Sequence, residues 1–598
     1  MATGSRPRAE MDKAYLWHLE DIFPTDDAFE KEMAAIRDEL PRLSAFRGRV
    51  AEDPKAAIRT SFEIRKRLEV LYSYAFMKQD QDGADTHSQD MASRGMSLIV
   101  SARTAGAFLE PELLLMPEDA LKEMMADADF GEYSVYLSEL LRQKAHSLSP
   151  EEERLMASAG EVLRAPGEIF DMFDDVDIPF PEVNDESGTP VKLTHANYGV
   201  LIRSGDRAVR RAAYEAMMGT FGRFASTVTA MYAGHVKGDI FTASARRYPN
   251  TRAMALDSDN IPEKVYDSLI KAVEGALPAL KKVLSLRKKV LGVETLMPYD
   301  LYAPLVKDAD KSMSYGEAFD TVIEALKPLG GDYAVLLKKA RDEGWIDVYP
   351  NLNKRSGAYS GGAYGVHPYV LLNHTDDLES CFTLAHELGH SMHTWYSEHA
   401  QPYAKADYTL FAAEVASTTN EVLLTRYLMD KYKGDRTVMA MLCNQFIESF
   451  RTTVFRQTLF AEFEWQAHRM AEEGRSLNKD DLKALHRSLN EKYYGPVCEM
   501  DDLIGWEWMR IPHFYRSYYV YVYATGFCAA AAIADRILRE GAAAVEGYKR
   551  FLSAGCSVPP IEALRYAGVD MEDEASVAGS LKVFAETADR LAELLGLE

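Results

Sequence analysis

Residues 386–390 read His386-Glu387-Leu388-Gly389-His390, and the rest of the chain is best read outward from them. On an α-helix, which turns about 100° per residue, His390 stands about 40° around the axis from His386, so both rings can reach one ion from the same side. Glu387, beside the first ring, can then handle a water on that ion, which makes this spacing a zinc-hydrolase signature. The flanking residues predict the helix itself. With His386 at zero, Leu384, Leu388, Met392 and Trp395 fall at about 160° to 240°, an apolar stripe opposite the imidazoles.

Two histidines do not hold a catalytic zinc alone, so a third ligand is needed and its identity sets the subclass. His393 shares the face at about −20°. A metzincin requires Gly at 393 and His at 396, whereas this chain has His393 and Tyr396, which rejects that subclass. The gluzincin alternative takes a glutamate from a following helix, and Phe411-Ala412-Ala413-Glu414-Val415-Ala416-Ser417-Thr418-Thr419-Asn420-Glu421 offers two. Glu414 and Glu421, seven apart, share a face, while Val415, Leu423 and Leu424 are available for packing. We expect Glu414 as the ligand, Glu421 accepting the spare N–H of a ligating histidine, and His393 supporting the ligands from beside them.

Before the predicted metal helix, Gly357, Gly361, Gly362 and Gly365 interrupt Tyr359 and Tyr364, and Tyr369-Val370-Leu371-Leu372 then reads as a strand entered through Pro368. Besides an ordinary hairpin, this pattern fits a sheet edge and loop that take up an extended peptide by strand addition, with Gly361, Gly362 and Tyr364 as substrate-binding candidates. No GKS or GKT follows the glycines, so phosphate cradling is not indicated. Further on, Tyr519, Tyr521 and Tyr523 alternate with Val520 and Val522, a strand by local propensity, and the alanine-rich run from Cys528 to Ala534 is helical.

Four blocks in order, GAYSGGAYGVHPYVLLN, HELGHSMH, FAAEVAST and HFYRSYYVYVYATGF, resemble oligoendopeptidase F, a bacterial relative of thimet oligopeptidase and neurolysin. The likeness covers most of the chain, is strongest from about Asp259 onward, and over the first hundred residues rests on Trp17-His18-Leu19 and Ile22-Phe23. It implies a mainly α, neurolysin-like helical zincin: two helical halves around a deep substrate channel, with a small β-sheet beside the HExxH helix. It also implies one Zn2+ per chain, short peptides as substrates, and a histidine and tyrosines near the C-terminus that bind the developing oxyanion. Those roles would fall on His513 and one or two of Tyr515, Tyr518, Tyr519, Tyr521 and Tyr523, with Tyr519 and Tyr521 the first candidates and Tyr518 and Tyr523 expected to touch substrate. The spacing between His513 and the tyrosines is tighter than in thimet oligopeptidase, so the individual phenols are not assigned. Three consecutive regions are expected: an N-terminal helical region, 1–115; an oligoendopeptidase F-type N-terminal domain, 116–200; and a zinc peptidase catalytic domain, 201–598.

Composition agrees with a large cytoplasmic enzyme. A chain of 598 residues with 47% hydrophobic content can bury an ample core. Its net charge of −24 argues against nucleic acid or an anionic membrane surface as partner. Cys381, Cys443, Cys498, Cys528 and Cys556 are scattered, odd in number and without CxxC spacing, as expected of free thiols in a reducing compartment. The first ten residues lack an apolar signal core, and no run approaches the ~18 apolar residues of a membrane span. Monomer and small homo-oligomer both remain open. Most of the chain has helical periodicity. Ser149-Pro150-Glu151-Glu152 predicts a capped helix start, 178–193 a small strand pair, and 204–245 and 262–291 long amphipathic helices, the second closed by Gly292. A non-catalytic helical peptide-binding protein with a structural zinc is the rival reading. Such sites are closed by four protein ligands, usually with cysteine, and no cysteine but Cys381 lies near.

Overall fold

The computed structural model describes residues 6–306 and 312–597, and the fold is mainly α. Its five short strands are β1 (Glu182–Asn184), β2 (Pro190–Lys192), β3 (Ile346–Asp347), β4 (Tyr359–Gly361) and β5 (Tyr369–Leu371). Two compact units divide the chain, and neither is contiguous. The first comprises Met1–Ser147, Asp310–Tyr427 and Ile533–Gly568; the second comprises Leu148–Ala309, Leu428–Ala532 and Val569–Glu598.

In the first unit the N-terminal helices share a core with the sheet. Phe29, Met33 and Ile36 from the helix Asp26–Ser44, Leu68 and Leu71 from Pro54–Gln81, and Met91 and Leu98 from Thr86–Gly106 bury against Tyr369 and Leu371 of β5. Trp17 meets the Tyr369 ring edge-on at 6.0 Å, and the Tyr369 hydroxyl donates to the carbonyl of His18 at 2.9 Å. The sheet order is β3-β5-β4, with β5 parallel to β3 and antiparallel to β4. Tyr359 and Gly361 of β4 pair with Leu371 and Tyr369, so Gly361 lies on an edge strand.

The second unit is built on long helices. Glu263–Leu291 ends where expected, because Gly292 adopts the left-handed conformation (φ 63°) that closes a helix and that residues with a side chain resist. It packs against Glu574–Leu595. The helix Pro150–Met172 begins with the predicted capping box between Ser149 and Glu152. β1 and β2 form the predicted antiparallel pair. The stretch 204–245 is not one helix. It divides into Arg207–Arg223 and Ala225–Ala245 at Phe224, whose backbone leaves the helical region.

The stretch Tyr519–Tyr523, which local propensity leaves between strand and helix, leads into a helix, Tyr521–Glu540. Tyr521, Val522, Ala524, Thr525, Cys528 and Ala531 are all buried. A segment enclosed on several sides has no alternating solvent face to maintain, so the helix-forming alanine run overrides the local β-propensity. No helix among the described residues is long and apolar enough to cross a membrane.

Candidate metal centre

Leu378–Ala400 forms the metal helix, opened by Asp377, whose side chain accepts from the Ser380 N–H at 2.7 Å, a cap of the kind typically worth about 1 kcal/mol. Leu384, Leu388 and Met392 are fully buried, as the apolar stripe predicts, each contributing roughly 1.5–3 kcal/mol. Trp395 is only partly buried and stacks on Trp345 at 5.2 Å. The following helix, Leu410–Lys431, packs through Val415, Leu423 and Leu424.

These two helices approach unusually closely. A Cβ at Gly389 would lie 2.6 Å from the Ser417 Cα and 2.8 Å from the Ala416 carbonyl, so the glycine is what lets the backbones meet. Asn420 braces the crossing: its amide donates to the Ala385 carbonyl at 3.0 Å, and its oxygen accepts from Tyr333 at 3.1 Å.

The crossing assembles the predicted donors. His386 Nε2 and His390 Nε2 are 3.2 Å apart, and Glu414 Oε2 lies 3.4 Å from the first and 3.5 Å from the second. Two zinc–ligand bonds of about 2.0–2.1 Å at a tetrahedral angle separate their donor atoms by about 3.3–3.4 Å, so the triangle has the size zinc requires. Among the described residues this is the group of three able to hold a metal ion. The Glu421 carboxylate hydrogen-bonds to His386 Nδ1, orienting Nε2 toward the triangle. Ser417 donates to Glu414 Oε2 at 2.9 Å. Against the upward pull of burial, His390 and then His386 hold the Glu414 carboxyl down to about 2, keeping it ionised as a ligand must be.

Glu387 points its chemistry differently from Glu414. It is buried, and desolvation raises its pKa despite the opposing pull of His386 and His390, a shift toward the range useful to a general base.

Other expected residues divide. His393 does not join the ligands. It is buried beneath Tyr408, the two rings stacked 3.7 Å apart, and burial pushes its imidazole down to about 3, so it is a neutral core residue. Gly361 sits on the edge strand, and the Ser360 and Ser391 hydroxyls, 2.8 Å apart, tie that strand to the metal helix. The Gly362 carbonyl accepts from Ser73 at 2.8 Å. Tyr364 donates to the Gln401 carbonyl at 2.9 Å and stacks under Lys66, so its ring braces the loop.

In the second unit, His513, Tyr519 and Tyr523 cluster, with the Tyr523 hydroxyl 3.4 Å from His513 Nε2 and the Tyr519 and Tyr523 rings 5.3 Å apart. Burial, then Arg516 and Arg456, lowers the His513 pKa. Tyr518 and Tyr521 depart from expectation. Both are buried, Tyr518 bonded to Thr251 at 3.1 Å and Tyr521 packed on Tyr266 at 5.1 Å, which does not fit roles that require touching a substrate. Sequence reading also missed Gly389, Ser417 and Asn420 as builders of the site. Asn420 stands in a polar run, Ser417-Thr418-Thr419-Asn420-Glu421, so nothing in the sequence singled it out.

Comparison with known proteins agrees with this geometry. The model of "Peptidase family M3" matches residues 200–583 and that of "Oligopeptidase F" matches 112–180. Oligopeptidase PepF of Bacillus subtilis is 42% identical over 592 residues, covering 98% of this chain and 88% of its own. The crystal structure of oligoendopeptidase-F from Enterococcus faecium superposes with a TM-score of 0.74 at 35% identity, over 96% of this chain and 100% of that one. A crystal structure from Chlamydophila abortus superposes with a TM-score of 0.93 at 32% identity, over 99% and 100% of the two chains. The chain therefore belongs to peptidase family M3, as a metallopeptidase of the oligoendopeptidase F type.

Proposed function

We propose that this metallopeptidase is a zinc-dependent endopeptidase that hydrolyses internal bonds of short peptides, with Glu387 as general base. The observation that carries the reading is the triangle of His386, His390 and Glu414, whose edges of 3.2, 3.4 and 3.5 Å match a tetrahedral zinc. Its donors include no cysteine, which favours an open catalytic site over a closed structural one. Zinc in such a site acidifies a water and polarises a carbonyl oxygen. Glu387 takes the water proton on its carboxylate and delivers it to the departing amine. Gly361 on the β4 edge receives the peptide backbone as an added strand, a role supported by that strand's place in the sheet order.

For His513, Tyr519 and Tyr523 the role taken is the one the family resemblance implies, donors to the oxygen on which negative charge grows, each donor typically worth about 3 kcal/mol. Their mutual packing supports treating them as one functional block. Tyr518 and Tyr521 are left out because their phenols are buried. The short-peptide limit rests on the family. A cytoplasmic setting is part of the proposal, supported by five cysteines that form no disulfide among the described residues, four of them buried.

The test is Glu387→Gln, assayed with a quenched-fluorescent peptide with and without o-phenanthroline. The variant is expected to keep one zinc per chain and to lose at least ~100-fold in kcat. Cleavage near the wild-type rate would remove Glu387 from its role.

A further inference from the structure

The segment between His513 and Tyr523 carries a residue in an unusual backbone conformation, held by polar side chains from two neighbouring helices. His513 closes in a short turn, Pro512–Tyr515, and Tyr523 lies in the first turn of the helix Tyr521–Glu540. Between them Tyr518 has φ 57°, a left-handed backbone that a tyrosine does not adopt unless its surroundings impose it.

The surroundings are a chain of directed hydrogen bonds. The Tyr518 N–H donates to Glu464 Oε1 at 2.8 Å. The Ser517 hydroxyl donates to Asp239 Oδ2 at 2.5 Å and accepts from His235 Nε2 at 2.8 Å. His468 joins both ends: Nε2 donates to the same Asp239 oxygen at 3.2 Å, and Nδ1 donates to the Glu464 carbonyl at 3.0 Å. Acceptors on both ring nitrogens call for the imidazolium form, which makes His468 and Asp239 a half-buried ion pair. Beyond the backbone, the Tyr518 phenol is bonded to Thr251, whose hydroxyl donates to Glu472 at 2.7 Å.

Two helices, Ala225–Ala245 and Arg456–Glu472, thus direct four ionisable groups at two consecutive loop residues. Burial raises the Glu464 carboxyl to about 8 and lowers the His235 imidazole, so the charged pair is Asp239 and His468. Withdrawing such a pair from water is costly, and apolar residues there would be at least as stable. What the charges give in return is one backbone geometry.

We propose that Asp239, Glu464 and His468 are positioning residues that clamp Ser517 and Tyr518, and so set the relative placement of His513, Tyr519 and Tyr523. None of the three need touch substrate. The inference rests on the proposed catalytic role of that block, and its test separates the two.

The gentlest probe is Ser517→Ala, since Ser517 is only partly buried and loses a single hydroxyl. Zinc-loaded full-length enzyme would be compared with Ser517→Thr, which restores the hydroxyl, and with His513→Ala. The readouts are kcat and KM on a quenched-fluorescent peptide, zinc content, and hydrogen exchange of residues 513–523. For Ser517→Ala we expect kcat to fall about 10- to 100-fold, as for a misplaced catalytic group. KM should stay within about twofold, zinc content should be unchanged and exchange in 513–523 faster, with Ser517→Thr recovering most of the rate. Unchanged exchange, or faster exchange with wild-type kcat, would overturn the clamp while His513→Ala still loses activity. If His513→Ala itself keeps wild-type kcat, the catalytic reading of the block falls first and the clamp loses its function with it.

Discussion

His393 is the residue at which the sequence pattern misled most instructively. The wheel puts it on the face of His386 and His390, yet one further turn carries it under the neighbouring chain, stacked on Tyr408 and 5.2 Å from the Phe551 ring. Periodicity fixes an angle around an axis and says nothing of what covers that angle at each level. The burial has a measurable consequence. Desolvation, then His390, lowers the His393 pKa to about 3, while an unfolded histidine titrates near 6.5. The unfolded chain therefore takes up this proton first as pH falls, so the stability it reflects is complete above about pH 6.5 and is lost progressively toward about pH 3. At about 1.4 kcal/mol per pH unit, the loss between about pH 6.5 and pH 5 is roughly 2 kcal/mol. His393→Phe keeps a ring on Tyr408 and has no proton to take up. Denaturant titrations are expected to show its stability falling about 2 kcal/mol less than wild type over that interval. An identical pH dependence in the two proteins would mean that the wild-type imidazole is charged in place.

At the scale of the element, the period of the metal helix was legible and its partner helix partly so. Leu384, Leu388 and Met392 announce one face and the two histidines the other, whereas the Asp377 cap that opens the helix was not read. Glu414 was legible as the candidate third donor because the gluzincin pattern takes a glutamate from a following helix, but the closeness of the crossing was not. That depends on Gly389, whose missing side chain admits Ser417 and Ala416. Nothing in the letters HELGH distinguishes a glycine needed for contact from one merely tolerated. Gly389→Ala tests the difference. A methyl group 2.6 Å from a backbone carbon cannot be absorbed by a rotamer change, so the helices must separate by several tenths of an ångström or more. Overpacking of this kind costs about 1–3 kcal/mol. Because Glu414 is carried on the displaced helix, zinc affinity is expected to drop by more than about tenfold alongside the stability loss. Calorimetric zinc titration of apo protein measures it, and a wild-type affinity would show that the site tolerates the shift. The start of the helix Tyr521–Glu540 was illegible for the opposite reason: the alternation of Tyr and Val is real, but burial removes the solvent face that gives alternation its meaning.

For the whole molecule, chain order is a poor guide to compactness. The N-terminal residues around Trp17 share a core with β5, more than three hundred positions later, and the two compact units each gather three separated segments. Hydrophobic periodicity identifies helices one at a time and carries no information on which distant helices share a core. The arrangement nevertheless makes a whole-molecule prediction, because His386, His390, Glu414 and Glu421 all belong to the first unit. A ligand that binds only the folded site stabilises it by about 2.7 kcal/mol at a free concentration of 100 times its dissociation constant, and chelation removes that contribution. Hydrogen exchange after chelation is expected to accelerate in Leu378–Ala400 and in residues 410–427, the helices that a bound ion would join. The helices Glu263–Leu291 and Glu574–Leu595, which supply no ligand, are expected to keep their protection. Returning zinc should restore the difference within one experiment. Equal acceleration in both pairs of helices would instead mean that the two units open together, as a single cooperative structure whose stability the metal site sets throughout.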